Sequence, residues 1–230
     1  MGMNELLSGN IFFGGAATLL AYWGGALLKK KIKWVNPLAF AIIAIILFLK
    51  IFNVSYEVYN EGAKYVSYLL TPVTVVLAVP LYRQIKVLNN NAVEIVGGIL
   101  SGVVSGMALI FGLALAFELS HEEYVTLLPK SITTAIGMGL SEEFGGMSTI
   151  TIASIVITGI IGNIFGELIL KLFRIHEPVA QGVAMGAGAH AFGTVRALEM
   201  GEIQGAMSSL SIAVTGLMTV IAMSFFANLM

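Results

Sequence analysis

Long runs of apolar residues without a single charge dominate this sequence and limit the folds that are open to it. Ile95–Phe117 and Ile203–Met230 are two such runs, and each is long enough to cross the roughly 30 Å hydrocarbon layer of a bilayer as a helix. Charged residues make up 11% of the chain, against roughly 25% in soluble domains, and the mean hydropathy is +0.92. The sequence therefore predicts an all-α integral membrane protein embedded in the lipid bilayer.

The composition also excludes several classes of function. The chain has no cysteine and no aspartate, which removes disulfides, cysteine nucleophiles, aspartyl intramembrane proteases and aspartyl-phosphate pumps. A net charge of -1 offers no electrostatic reason to bind nucleic acid. The sequence contains no P-loop, nucleophile elbow or metalloprotease motif. We therefore expect no enzyme activity, no cofactor and no metal.

The first part of the chain carries the clearest topological signal. Ile11–Leu28 is a run of spanning length, and it is followed by a lysine cluster that the positive-inside rule assigns to the cytoplasm: Lys29, Lys30, Lys31 and Lys33. No basic residue precedes this run, so no cleavable signal peptide is predicted.

Two further apolar segments without interruption are predicted to span the membrane. They are Pro37–Leu49, which can be extended to Phe52, and Phe144–Gly166. After the first of these, Asn53–Lys64 is predicted to be a polar loop.

Two other segments are interrupted by proline. Tyr65–Tyr82 contains Pro72 and Pro80, and Tyr124–Leu140 contains Pro129. Proline removes a backbone donor and breaks or kinks a helix interior. The fold class predicted is thus a polytopic bundle of about seven transmembrane helices with re-entrant or broken helices.

A period of 57 residues links the later segments. Ser101-Gly102, Thr158-Gly159 and Thr215-Gly216 recur at this offset, and the same offset carries Pro72 to Pro129 and then to Gly186. Matching interrupted segments are the best sequence pointer to a transporter site. We expect a single membrane domain with N-terminal spans (residues 1–64) and three broken-helix units (residues 65–123, 124–177 and 178–230).

The first candidate site surrounds Lys130. Ser131, Thr133 and Thr134 follow it, and Pro129 suits the first turn of a helix. Free amides, hydroxyls and an ammonium at a helix N-terminus would bind an anion. The structural alternative is that Lys130 extends its ammonium to the membrane interface.

The second candidate site lies in the glycine-rich stretch Pro178–Glu202. Gly186 and Gly188 are predicted break positions, and these candidate binding residues follow them: His190, Gly193, Thr194 and Arg196. Ionisable residues at membrane depth are functional candidates by default. The alternatives are a hydrogen-bonded interhelical role for the histidine and an ion pair of the arginine with Glu199 or Glu202.

Coupling to H⁺ or Na⁺ has three candidates. His190 titrates near neutral pH, whereas Glu142 and Glu143 are acidic residues in a predicted loop. For the two glutamates solvation is the structural alternative. Glu167 is predicted to pair with Lys171 at i+4.

These motifs resemble those of the LrgB/CidB family. The resemblance rests on LLPKSITTAIGMGLSEEFGG, on LFRIHEPVAQGVAMGAGAHAFGTVRALEMGE and on the earlier TPVTVVLAVPLYRQ, and it covers most of the chain from Tyr65 onward. Ala135 departs from the family pattern, in which proline is common after the paired threonines. A plastid transporter of glycolate and glycerate is similar to this family.

The resemblance implies two competing functions. One is transport of small monocarboxylates of the pyruvate, glycolate, glycerate or lactate type, with an LrgA/CidA-type membrane partner, in a homo-oligomer of the bacterial inner membrane. The alternative is a holin/antiholin-like pore subunit that controls murein hydrolase export and lysis. The sequence favours transport, because Lys130, His190 and Arg196 in broken segments suit a carboxylate. By analogy, an elevator-like architecture is expected.

Overall fold

The computed structural model describes residues 3–32, 35, 37–69, 72 and 78–230, and these form helices joined by short turns, with no strand among them. The all-α prediction is confirmed for this part of the chain. The helices belong to two compact units, Met1–Val76 and Leu77–Met230.

The N-terminal unit contains α1 (Met3–Leu7), α2 (Phe13–Lys31), α3 (Pro37–Ile51) and α4 (Tyr56–Ser67). Helix α2 packs against both α3 and α4. Its crossing with α4 depends on glycine, since a Cβ on Gly14 would lie 1.9 Å from the Tyr59 carbonyl oxygen. Lys33 and Trp34 lie outside the described residues.

Helix α4 corrects the prediction of a polar loop over Asn53–Lys64. Ser55 caps the helix by accepting a hydrogen bond from the Val58 amide at 3.5 Å. Val58 in the first turn of the helix is buried, as is Val54 just before the cap. This segment has too few apolar residues to span a membrane, but it has enough on one side to form a short amphipathic helix.

The C-terminal unit begins with two short helices, α5 (Ala78–Arg83) and α6 (Ile85–Asn90). Pro80 was predicted to break a helix, but it lies in the first turn of α5, where no intrahelical bond needs its missing N–H. The stretch around Pro72, residues 70–71 and 73–77, lies outside the described residues.

Three helices in the described part of the chain are long and apolar enough to cross a membrane: α7 (Ala92–Ala116), α10 (Ser148–Leu172) and α12 (Glu202–Phe226), which a final 3₁₀ turn extends to Leu229. They agree in length and composition with the spans predicted at Ile95–Phe117, Phe144–Gly166 and Ile203–Met230. The remaining spans of the predicted seven are not established.

A broken element precedes α10. Helix α8 (His121–Leu127) ends before a turn at residues 128–133, and α9 (Thr134–Glu143) follows. The predicted interruption at Pro129-Lys130 is confirmed. Pro129 itself is buried in the turn and does not start a helix, which corrects its predicted place in a first helical turn. Thr133 is the N-cap residue of α9.

Helix α8 begins with a reciprocal cap. The Ser120 hydroxyl accepts from the Glu123 amide, and the Glu123 carboxylate accepts from the Ser120 amide at 2.8 Å. The hydrogen bonds from the Ser120 amide and hydroxyl lower the pKa of the Glu123 carboxyl. This cap fixes where the broken element starts.

Helix α11 (Pro178–Met200) contains the second interruption. Its His190 has φ 40° and ψ -132°, whereas Gly186 and Gly188, the predicted break positions, are helical. Gly186 is needed for packing, because a Cβ there would lie 2.3 Å from the Ser208 carbonyl oxygen of α12. The break therefore lies at His190, two residues after Gly188 (190 - 188) and four after Gly186 (190 - 186), which corrects the predicted positions.

Candidate functional site

A cleft of about 1080 Å³ lies between α7, α11, α12 and the turn at residues 128–133. Its lining on α7 runs from Glu94 to Ile110, which at 1.5 Å per helical residue is roughly 24 Å, most of the thickness of a bilayer core. The cleft therefore has the length that a path for a solute would need.

A glycine stripe on α7 forms one wall of the cleft. Gly98, Gly102 and Gly106 line it, and no atom lies within 4 Å of a Cβ built on Gly106. Four-residue spacing of glycines predicted close helix packing. A Cβ on Gly98 would lie 3.5 Å from Val183 and one on Gly102 would lie 4.0 Å from Ala187, so these glycines mainly leave space.

Lys130 lies in the lining of this cleft. Its ammonium donates to the Ser131 hydroxyl at 3.0 Å, and both side chains are half-buried. Among the described residues, no carboxylate forms an ion pair with Lys130. The binding of an anion by this charge stays a prediction from the sequence. Thr133 and Thr134 begin α9 and are not among the residues that line the cleft.

The turn that carries Lys130 is held by a buried hydroxyl cluster (Thr126, Ser141 and Thr151). The Thr151 hydroxyl lies 2.9 Å from the Thr126 carbonyl oxygen on α8 and 2.7 Å from the Ser141 hydroxyl on α9. Fifteen residues (141 - 126) of straight helix would separate those two positions by roughly 22 Å. Since one side chain contacts both, the C-terminal ends of α8 and α9 lie close together.

The break in α11 is packed against α10. The His190 ring lies 3.0 Å from the Ile155 carbonyl oxygen through Nε2 and meets the Phe192 ring edge-on. A Cβ on Gly159 would lie 2.4 Å from the Phe192 ring and 2.8 Å from the His190 ring. Gly159 therefore makes room for the break.

The backbone at this break is satisfied by neighbouring side chains. The Thr194 hydroxyl donates to the His190 carbonyl at 3.1 Å and bonds to the Ser208 hydroxyl at 2.7 Å. The Asn163 amide donates to the Phe192 carbonyl at 2.6 Å. Irregular backbone at membrane depth requires such partners. Sequence reasoning missed Asn163, although a lone amide inside an apolar span signals a polar contact.

Gly193 also has a structural role at the break. A Cβ on it would lie 2.1 Å from the Met185 carbonyl oxygen, so only glycine fits there without a shift. None of His190, Gly193 and Thr194 is among the residues that line the cleft, whereas Gly188 is.

Arg196 belongs to a separate charged cluster. Its guanidinium forms ion pairs with Glu167 of α10 and Glu199 of its own helix, and Lys171 pairs with Glu167 at 2.6 Å. The pairs with Glu199 and Lys171 were foreseen from sequence spacing. The cross-helix pair with Glu167 was missed, since spacing along one helix carries no information about its neighbour.

The structure thus brings together some of the predicted residues and separates others. Lys130, Ser131 and Gly188 share the cleft. The two candidate coupling residues at the end of α9, Glu142 and Glu143, are exposed and do not line it.

One residue of the cleft was noticed in the sequence only as part of the repeat. Thr215 of α12 is 2% exposed, and its hydroxyl has no hydrogen-bond partner among the described residues.

Comparisons with known proteins agree with the motif resemblance. A family model described as the LrgB-like family matches residues 18–229. Proteins named "Antiholin-like protein LrgB" from Bacillus cereus strains B4264 and AH187 and from Bacillus anthracis strain A0248 are each 36% identical over 218 residues, which is 94% of this chain and 95% of the relative. No solved structure matches the chain significantly.

Proposed function

Because the chain belongs to the LrgB-like family, we propose that it has the antiholin-like role for which its Bacillus relatives are named. In this proposal it acts in the bacterial inner membrane with a smaller LrgA-type membrane protein. The match over nearly the whole length of both chains supports this function. Three apolar helices of spanning length support the membrane location.

The antiholin-like role is tested by reconstituting the two proteins together. We expect an LrgA-type protein alone to release a dye from liposomes and this chain to reduce that release. A matched chain with Gly159→Val, which crowds the break in α11, controls for the mere presence of a second membrane protein. Dye release that is unchanged or increased by the wild-type chain would contradict the antiholin-like role.

A second candidate is transport of small monocarboxylates through the cleft. The observation that favours it is Lys130, a half-buried ammonium that no carboxylate of the described residues neutralises. A protein whose only task is to associate with another membrane protein has no need of such a charge in a cleft of this length. The names of the relatives favour the antiholin-like role, and the geometry of the cleft favours this one.

The chemistry of the cleft selects the class of substrate. One ammonium neutralises one carboxylate, and the Ser131 hydroxyl lies 3.0 Å from it, ready to bond the same group. A dicarboxylate would bring a second charge into a lining that also contains Glu94 and Glu177, where like charges repel. We therefore expect pyruvate, glycolate, glycerate or lactate to be preferred over succinate.

A reciprocal contact supports two related broken units behind this activity. Thr133, where α9 begins, and His190 are 57 residues apart (190 - 133), which is the offset between Gly159 and Gly216. Gly159 packs on His190, and a Cβ on Gly216 would lie 3.1 Å from the Ile136 side chain near the start of α9. Such an exchange of contacts is expected of paired repeats in carriers. Elevator-like movement and coupling to H⁺ through His190 or to Na⁺ through Glu142 and Glu143 belong to this proposal.

The transport proposal is tested by uptake into proteoliposomes that also contain a trapped dye. Saturable uptake of labelled pyruvate that glycolate or lactate competes for, with succinate ineffective and the dye retained, is the expected result. Uptake that does not saturate and is accompanied by loss of dye would contradict a carrier.

A further inference from the structure

Thr215 differs from Ser208 and Ser211, two other buried hydroxyl residues of its helix. On α12 the Ser211 hydroxyl donates to the Met207 carbonyl at 2.7 Å, and the Ser208 hydroxyl bonds to Thr194 at 2.7 Å. Serine and threonine within helices commonly satisfy themselves by bonding the carbonyl four residues earlier. Thr215, which is equally buried, makes no such bond within the described part of the chain.

An unpaired buried hydroxyl has an energetic cost that packing does not repay. Leaving such a group without a partner costs about 1–3 kcal/mol, whereas an apolar group of the same shape has no such desolvation penalty. Valine has that shape and is common in this sequence. The hydroxyl of Thr215 therefore indicates a bond made to something other than the protein.

The position of Thr215 limits what that partner can be. It lines the same cleft as Lys130 and Ser131, and the glycine stripe of α7 forms another part of the wall. Around these polar groups the lining is apolar, with Val103, Met107 and Ile110 among its members. A small anion with an additional oxygen and a short apolar end fits such a lining.

We propose that the Thr215 hydroxyl binds the oxygen on the carbon next to the carboxylate of a small monocarboxylate in the cleft. The inference rests on the proposed transport function, in which Lys130 holds the carboxylate. A hydroxyl both donates and accepts, so Thr215 serves a 2-oxo acid as donor and a 2-hydroxy acid in either direction. Lys130 thus provides affinity for the charge, and Thr215 provides discrimination between substituted and unsubstituted acids.

Pyruvate and propionate provide the test, because both carry one carboxylate and one methyl group and differ at the second carbon. The wild-type chain is expected to show a lower KM for pyruvate than for propionate in liposome uptake. Thr215→Val should raise the KM for pyruvate by roughly five- to tenfold, the equivalent of one neutral hydrogen bond. The KM for propionate should stay unchanged, and the melting temperature should stay equal or rise.

Three further variants separate this role from a structural one. Thr215→Ser keeps the hydroxyl and should keep the preference for pyruvate, and Thr215→Ala should lose it, as Thr215→Val does. Ser211→Ala removes a buried hydroxyl that is already bonded, one turn away. It should lower the melting temperature and leave the ratio of the two KM values unchanged.

The possible failures are distinguishable. A Thr215→Val chain that takes up pyruvate with the wild-type ratio of KM values would overturn the role of Thr215 and leave the carrier standing. Wild-type liposomes without saturable uptake of either acid would overturn both proposals. If Ser211→Ala changes the ratio of the two KM values as much as Thr215→Val does, the role of Thr215 is also overturned, because the effect would then be one of packing.

Discussion

Lys130 and Arg196 carry the same charge in different surroundings. Lys130 bonds a neutral hydroxyl in the cleft, whereas Arg196 is neutralised by Glu167 and Glu199 outside it. The sequence places both cations in interrupted segments, which is why both were predicted to bind a carboxylate. The residue numbers alone could not reveal that Glu167, 29 positions away, lies within reach of Arg196.

Replacing Arg196 by glutamine decides whether it is structural. Its side chain is 32% exposed and that of Glu167 is 26% exposed, so solvent screening reduces the pair to about 0.2–1 kcal/mol of coupling. We expect a small fall in melting temperature and unchanged KM for pyruvate. A double-mutant cycle with Glu167→Gln measures the coupling. Loss of uptake in Arg196→Gln at normal expression would instead establish substrate contact.

At the scale of elements, the sequence predicts that both the α8–α9 region and α11 are interrupted, but it predicts the position of only the first interruption. The Pro129-Lys130 pair disrupts a helix by its own chemistry, and the turn at residues 128–133 appears where the sequence indicates it. The glycines of α11 were a weaker guide. Gly186 is used for contact with α12 and Gly193 for contact with Met185, so the break falls at His190 between them. Tertiary contacts of this kind cannot be derived from local propensity.

Gly159 tests how the break in α11 is accommodated. An alanine there would place its Cβ 2.4 Å from the Phe192 ring, and such overpacking typically costs about 1–3 kcal/mol. Gly112→Ala in α7 is the matched control, because no atom lies within 4 Å of its Cβ. Thermal unfolding in detergent should show a clear loss for Gly159→Ala and none for Gly112→Ala. Equal melting temperatures would mean that α10 and α11 are separated at this point.

The cap of α8 gives a prediction about pH. Hydrogen bonds from Ser120 lower the pKa of Glu123 in the folded state, so the stabilisation is complete above the ordinary carboxyl pKa and is lost as pH falls through the lowered value. Ser120→Ala removes both side-chain contacts of the cap and should lower the melting temperature at neutral pH. The difference in melting temperature between the two proteins should shrink on acidification. A difference that is constant with pH would contradict the contribution of Glu123.

At the scale of the whole molecule, the three long apolar helices followed directly from the hydrophobic runs. Helix α4 did not, because it is short and amphipathic and offers no run of spanning length. The buried hydroxyl cluster of Thr126, Ser141 and Thr151 holds the C-terminal ends of α8 and α9 close together. We infer that this pair enters the membrane and leaves it on the same side.

The absence of cysteine from the chain makes that inference easy to test. Glu122 and Glu143 are both exposed. Single-cysteine chains with Glu122→Cys or Glu143→Cys should react with a membrane-impermeant maleimide from the same side. Glu143 and Phe173 flank α10 and should react from opposite sides, which provides the control for a true crossing. Reaction of the cysteines at positions 122 and 143 from opposite sides would mean that the broken element spans the bilayer.

The ammonium of Lys130 in the cleft is the centre of the transport proposal, and uptake of labelled pyruvate by Lys130→Gln tests it most directly. Lys171→Gln is the control, since its side chain is 69% exposed and pairs with Glu167. We predict saturable uptake by the wild type and by Lys171→Gln, and loss of saturable uptake by Lys130→Gln at equal expression and with the trapped dye retained. Undiminished pyruvate uptake by Lys130→Gln would contradict a carboxylate site at Lys130.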